Sequence, residues 1–295
     1  MTARPAIQGQ ADVAGPVVSR FAPSPTGRLH LGHAASAIRA HDLARAAGGQ
    51  FLLRIEDIDG TRSRPEHVDA ILADLHWLGL EWHGPVTFQS ARLNRYAVAL
   101  ESLRARGLVY PCFCTRAEIA AASLHAPHGA EPTYPGTCRA QAAPDLSRPH
   151  CWRLDMARAV KTAGPLTWHD ETAGRVEADP LAAGDVILAR KDAPASYHLA
   201  VTIDDAAQGV TDVVRGVDLF RATDVHRLLQ ALLGLPIPRY HHHPLLAGPD
   251  GVRLAKRHGS PTLEAMRRAG QDGHALANSL RAGGPPLEST PLNTK

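Results

Sequence analysis

The chain has 295 residues, 44% of them hydrophobic, so it is long and apolar enough to bury a substantial α/β core. No apolar run approaches the roughly 18 residues of a membrane span, and the opening residues hold no segment fit for a secretory signal, so a cytoplasmic protein that meets no membrane is expected. A formal charge of +3 is too mild to argue for nucleic-acid binding by itself, and four cysteines, two of them one residue apart, suit a metal site in a reducing compartment better than a disulfide framework.

Taken in chain order, residues 1–15 form a loose tail, and 17–21 (Val-Val-Ser-Arg-Phe) read as a strand that runs into a Pro/Gly-rich loop at 22–27. A helix over 31–47 stops at Gly48-Gly49, and a second strand follows over 51–55. This β-loop-α-β opening favours a parallel doubly wound sheet, which binds ligands at the carboxyl ends of its strands. Residues 65–78 and 94–106 are further helices, and Thr115 with Glu118 has the spacing of a capping box. Residues 107–165 turn short, Pro-rich and cysteine-bearing, and read as an insertion between two halves of the sheet. Beyond it, 185–189 and 198–203 read as strands, 223–233 as a helix and 246–260 as an interrupted basic loop. The expected division is therefore 16–106 and 166–245 for the two halves of a catalytic domain, 107–165 for the insertion, 246–275 for the basic loop and a helix, and 276–295 for a polar tail.

The most informative string runs from Arg20 to His33 (RFAPSPTGRLHLGH), where a strand breaks at two prolines and a helix begins near His30-Leu31-Gly32-His33. Backbone N–H groups and the helix dipole at such a start favour a phosphate, and two histidines add donors to negative charge developing there. Gly32 lets a flat base or ribose lie against the backbone. The string resembles the HIGH signature of the class I aminoacyl-tRNA synthetases, and its Arg-Phe-Ala-Pro-Ser-Pro-Thr-Gly lead is similar to the glutamyl subgroup. The resemblance implies a Rossmann-type nucleotide fold. It implies an amino-acid pocket of Arg20, Phe21, Ala22, Pro23, Ser24, Glu56, Tyr197 and Arg215, and an ATP site of Thr26, Gly27, His30, Gly32, His33 and Lys256. Within these, Arg20 would face the side-chain carboxylate, which an arginine fork can hold bidentately and a glutamine amide cannot match. Glu56, in Arg54-Ile55-Glu56-Asp57, would receive the α-ammonium group. Its neighbours Asp57 and Asp59 also fit an ordinary acidic turn.

Arg253-Leu254-Ala255-Lys256-Arg257 resembles the KMSKS loop, with arginine for the first lysine and alanine for the serine, and Lys256 matches the phosphate-contacting lysine. His30, His33 and Lys256 are then the expected catalytic groups, working on ATP carried with magnesium. Cys112, Cys114 and Cys138 offer three thiolates to a zinc ion, for which Cys151, His125 or His128 can supply a fourth ligand. The resemblance to the truncated glutamyl-Q tRNA(Asp) group points instead to Tyr134, in a closed structural site. Only the short run 257–295 follows Lys256, and no anticodon-binding domain is expected in it. The implied function is ATP-dependent activation of L-glutamate and its transfer to the queuosine base of tRNA(Asp), by a monomer. A minimal tRNA(Glu)-charging enzyme and a silent tRNA- or zinc-binding module remain open.

Overall fold

The computed structural model describes residues 15–115, 117–119, 134–141, 143–246 and 261–283. Strand β1 (Val18–Phe21) runs into the proline loop, α1 (Leu31–Ala46) crosses over it, and β2 (Gln50–Ile55) lies parallel to β1 with Arg20 opposite Leu52. The helix ends where Gly48 takes a left-handed conformation, as the Gly-Gly stop predicts. Next come α2 (Pro65–Trp77), which carries proline at its first position, the short β3 (Thr87–Phe88) and α3 (Leu93–Ala105).

Strands β4 (Val109–Cys112) and β5 (Cys151–Leu154) pair antiparallel, and β8 (Ile187–Ala189) adds to β5, forming a separate three-stranded sheet. Between β5 and β8 lie α4 (Met156–Ala163) and the hairpin β6 (Thr167–Asp170) and β7 (Gly174–Glu177). The chain continues through α5 (Tyr197–Ala207), β9 (Asp212–Gly216), α6 (Ala222–Leu233) and β10 (Arg239–His243), then α7 (Leu263–Arg268) and α8 (Gly273–Arg281).

The main sheet has seven strands in the order β3-β2-β1-β9-β10-β6-β7, all parallel except the β6–β7 hairpin. This is the expected Rossmann-type α/β fold. Two apolar cores flank the sheet. One joins Phe21, Ile38, Phe51, Leu53 and Ile71 with Leu263 and Leu276; the other joins Leu103, Leu154, Leu188, Leu199, Val225 and Leu228. Strand order reverses between β1 and β9, and there the carboxyl ends open a crevice.

Two stretches correct the sequence reading. Residues 276–281, expected in the polar tail, belong to helix α8, and Leu276 and Ala277 are buried in the core. Residues 198–203, expected as a strand, lie inside helix α5, in which every residue from Leu199 to Asp205 is buried. A helix packed on all sides shows no 3.6-residue polar stripe, so the apolar run Leu-Ala-Val-Thr-Ile mimics a buried strand. The capping box is present: Thr115 N–H donates to Glu118 and Glu118 N–H to Thr115 Oγ1.

Candidate active site

The crevice holds a cavity of about 610 Å³ lined by the proline loop, the start of α1, Glu56, Tyr197, Val201, Val214 to Gly216, Asp218 and Leu219, with His243, Leu245 and Leu246 also on its wall. Arg20, Phe21, Ala22, Pro23, Ser24, Thr26, Gly27, His30, Gly32, His33, Glu56, Tyr197 and Arg215 all border it, so residues 195 positions apart in sequence share one wall. Lys256, with Arg253 and Ala255, lies outside the described residues. The chain on either side of that segment is described: Leu246 lines the cavity, and Thr262 bridges to His30 while Leu263 N–H donates to Leu29 O.

Local hydrogen bonds explain how the loop and Glu56 meet. Glu56 N–H donates to Pro23 O and Arg64 N–H to Pro25 O, tying the proline loop to the end of β2 and the start of α2. The acidic cluster then divides by role. Asp57 accepts from the backbone and side chain of Ser90, 33 positions away, Asp59 caps its own turn by accepting from Thr61 and Arg62, and of the three only Glu56 borders the cavity. Burial pushes the Glu56 carboxyl up, against the pull of Arg54 and Arg20. A cationic ligand group placed beside it would favour the charged form.

His30 is the N-cap of α1, where its Nδ1 accepts from Gly32 N–H at 3.1 Å and His33 Nδ1 accepts from His30 N–H at 3.2 Å. This is a capping box built from two imidazoles whose ring centres stand 3.8 Å apart. An acceptor Nδ1 on a neutral ring puts the proton on Nε2, so both histidines are donors at that atom. A methyl group on Gly32 would lie 3.0 Å from His30 Cε1 and press the ring off its cap.

The two arginines of the pocket differ. Arg20 grips Asp205 through Nε at 2.9 Å and Nη2 at 3.3 Å, and the fully buried Arg54 donates to the same carboxylate at 2.8 Å. Burial raises the Asp205 carboxyl, and the two guanidinium groups more than offset it, leaving it below the usual range. Arg215 instead donates to His242 Nε2, Tyr197 Oη, His226 Nδ1 and Thr223 Oγ1 at 2.6–3.3 Å, all neutral acceptors. Among the described residues no carboxylate makes an ion pair with it, although it is 6% exposed. A buried cation without a counter-ion is costly, and a bound anion relieves it. Asp205, Arg54 and His242 stand behind the pocket wall, holding Arg20 and Arg215, and motif reading missed all three, since nothing in a linear string marks residues so far apart as partners.

The insertion carries a second constellation. The ligand atoms of Cys112, Cys114 and Cys138 all lie within 4.8 Å of one another, with Cys114 Sγ 3.5 Å from Cys138 Sγ. Tyr134 Oη stands 3.6 Å from Cys114 Sγ. Tetrahedral zinc with its usual bond lengths gives ligand–ligand edges of roughly 3.5–3.8 Å, so the set can close on such an ion. Cys151, opposite Cys112 across β4 and β5, turns its thiol to the Cys112 carbonyl and stands outside the three-cysteine group. His125 and His128 lie outside the described residues.

Residues 16–290 match the family model for the catalytic domain of class I tRNA synthetases for glutamate and glutamine. The chain is 50% identical over 271 residues to a glutamyl-Q tRNA(Asp) synthetase of Rhodobacter capsulatus, covering 86% of this chain and 96% of that one. It is 40% identical over 269 residues to a glutamate–tRNA ligase of Oleidesulfovibrio alaskensis, covering 90% of this chain and 56% of the ligase. The crystal structure of a glutamate tRNA ligase of Elizabethkingia meningosepticum in complex with its amino acid superposes with a TM-score of 0.75 at 26% identity, over 90% of this chain and 60% of the ligase. The chain thus spans little more than half the length of the glutamate–tRNA ligases it matches. No helix among the described residues is long and apolar enough to cross a membrane. By the family model and by its match to the Rhodobacter capsulatus protein over nearly that protein's whole length, the chain belongs to the class I tRNA synthetases, in the glutamyl-Q tRNA(Asp) synthetase family.

Proposed function

We propose that this protein activates L-glutamate with ATP and transfers the glutamyl group to the queuosine base of tRNA(Asp). The observation that carries this reading is the 50% identity to a glutamyl-Q tRNA(Asp) synthetase over 96% of its length, supported by a crevice that brings Arg20, Arg215 and Glu56 together with the start of helix α1. Arg20, with Phe21, Ala22, Pro23 and Ser24 around it, takes the side-chain carboxylate, Glu56 the α-ammonium group, and Tyr197 and Arg215 complete the pocket. Thr26, Gly27 and Gly32 make room for ATP, and His30, His33 and Lys256 stabilise its phosphates. Magnesium bound with ATP neutralises phosphate charge.

In the first step an oxygen of the glutamate α-carboxylate attacks the α-phosphorus, and pyrophosphate leaves. In the second a hydroxyl of the modified base attacks the activated carbonyl carbon, losing its proton as AMP departs. The protein positions and stabilises charge, and no side chain acts as nucleophile. An anticodon-loop base suits such an acceptor, because proteins read RNA sequence mainly at unstacked loop bases. Zinc held by Cys112, Cys114, Tyr134 and Cys138 is structural, since four protein ligands leave no position for substrate.

Glutamate-dependent ATP–pyrophosphate exchange, with glutamine and aspartate as controls, tests the first step. The reading requires exchange with glutamate alone; equal exchange with glutamine would overturn the amino-acid assignment. A tRNA(Glu)-charging activity is the second reading, favoured by the 40% identity to a glutamate–tRNA ligase.

A further inference from the structure

Arg215 is set apart from the other buried arginines by what stands behind it. Its Nε donates to His242 Nε2 at 3.1 Å, and His242 Nδ1 lies 2.8 Å from Asp170 Oδ2. Since a guanidinium only donates, Nε2 must accept, and the ring carries its proton on Nδ1, facing the carboxylate. The ring cannot turn away: it stacks on Tyr240 at 5.9 Å and 7°, with Trp168 edge-on and Phe220 tilted against it. Asp170 is fixed in turn, as its Oδ1 accepts from Thr172 N–H and Ala173 N–H, each at 2.9 Å, and its Oδ2 from His242 N–H. Burial, reinforced by the Arg215 charge, holds the His242 imidazole down to about 4, so it is the neutral ring that sits there.

We infer that His242, backed by Asp170, is a positioning residue that aims Arg215 into the amino-acid pocket while leaving its charge for the ligand. A carboxylate in direct contact would neutralise Arg215, whereas Asp205 spreads its single charge over both Arg20 and Arg54. One imidazole in between supplies an oriented acceptor and keeps the counter-charge a full ring away, so the strongest ion pair open to Arg215 is with a carboxylate that enters the cavity. This inference rests on Arg215 being a glutamate contact. Neither Asp170 nor His242 lines the cavity, and no sequence motif marks them.

The test is direct titration of the full-length protein with L-glutamate, together with the Michaelis constants for glutamate and ATP in pyrophosphate exchange. Asp170→Asn is the sharpest variant. The two turn N–H groups keep the amide oxygen on their side, so its NH2 faces His242 and drives the ring proton to Nε2, where it opposes the Nε–H of Arg215. Glutamate affinity should fall at least tenfold, with the KM for ATP within about twofold of wild type. His242→Gln, which keeps an acceptor for Arg215 and a donor for Asp170, should hold glutamate within about threefold, whereas His242→Leu should lose tenfold or more. That pair serves if Asp170→Asn does not fold. Wild-type glutamate affinity in both Asp170→Asn and His242→Leu would overturn the inference and leave the proposed function standing; a wild-type protein that binds no glutamate would overturn both.

Discussion

Asp205 is the single carboxylate that Arg20 and Arg54 share, and Asp205→Ala is the perturbation with the largest expected cost. It removes three hydrogen bonds of 2.8–3.3 Å and leaves two guanidinium groups, 5% and 0% exposed, with Glu56 as their nearest remaining carboxylate, 3.4 Å from Arg54. Charge-assisted bonds contribute about 1.5–3 kcal/mol each, but these share one acceptor, and removing one partner of a buried ion pair costs about 3–5 kcal/mol in total. The loss expected is in that range. Asp205→Asn, which keeps one acceptor oxygen and the side chain's volume, should cost less. Urea unfolding followed by the four tryptophans measures both. A loss under about 1 kcal/mol in Asp205→Ala would mean that water or side-chain movement compensates the arginines, and the account of the pocket floor would be refuted.

Three further outcomes follow from the same geometry. Because burial raises the Glu56 carboxyl, it protonates at a higher pH than an exposed glutamate; its contribution to stability is present at low pH and lost as pH rises through the raised value, while a bound ammonium group needs the ionised form. Glutamate binding should therefore weaken as pH falls through that raised value, and Glu56→Gln should bind weakly at every pH; an unchanged profile in Glu56→Gln would remove Glu56 from the site. His30→Asn keeps a side-chain cap for α1 but loses the Nε2 donor, so stability should hold within about 1 kcal/mol while exchange drops roughly a hundredfold; near-normal exchange would show that capping is the histidine's whole task. Cys114→Ser should release the metal, read by elemental mass spectrometry of the purified protein, and lower the melting temperature; full metal content in that variant would exclude Cys114 as a ligand.

How much of this was legible beforehand depended on the range of the signal. The strand-loop-helix opening and the cysteine pair are local, and local turn and cap chemistry predicts them well. The motif residues of the pocket also converge on one cavity, although Lys256 lies outside the described residues. Helix α5 was hidden because burial on every side erases helical periodicity. The hairpin of β6 and β7 was overlooked, since its four-residue strands carry polar residues that read as loop. Pairings such as Arg20 with Asp205 or His242 with Asp170 join positions 185 and 72 apart, and no spacing rule reaches that far. The triple histidine at 241–243 looks uniform, yet the rings meet Asp212, Asp170 and Ser36 in turn: strand alternation puts His242 on the face opposite the other two, and His241 and His243 lie two residues apart along the strand, with different neighbours.

The central claim is the identity of the acceptor, and the most direct measurement is transfer of labelled L-glutamate to three purified RNAs: tRNA(Asp) containing queuosine, tRNA(Asp) lacking it, and tRNA(Glu). The account predicts label on the first alone. Label on tRNA(Glu) with none on queuosine-containing tRNA(Asp) would contradict it and make the chain a charging enzyme.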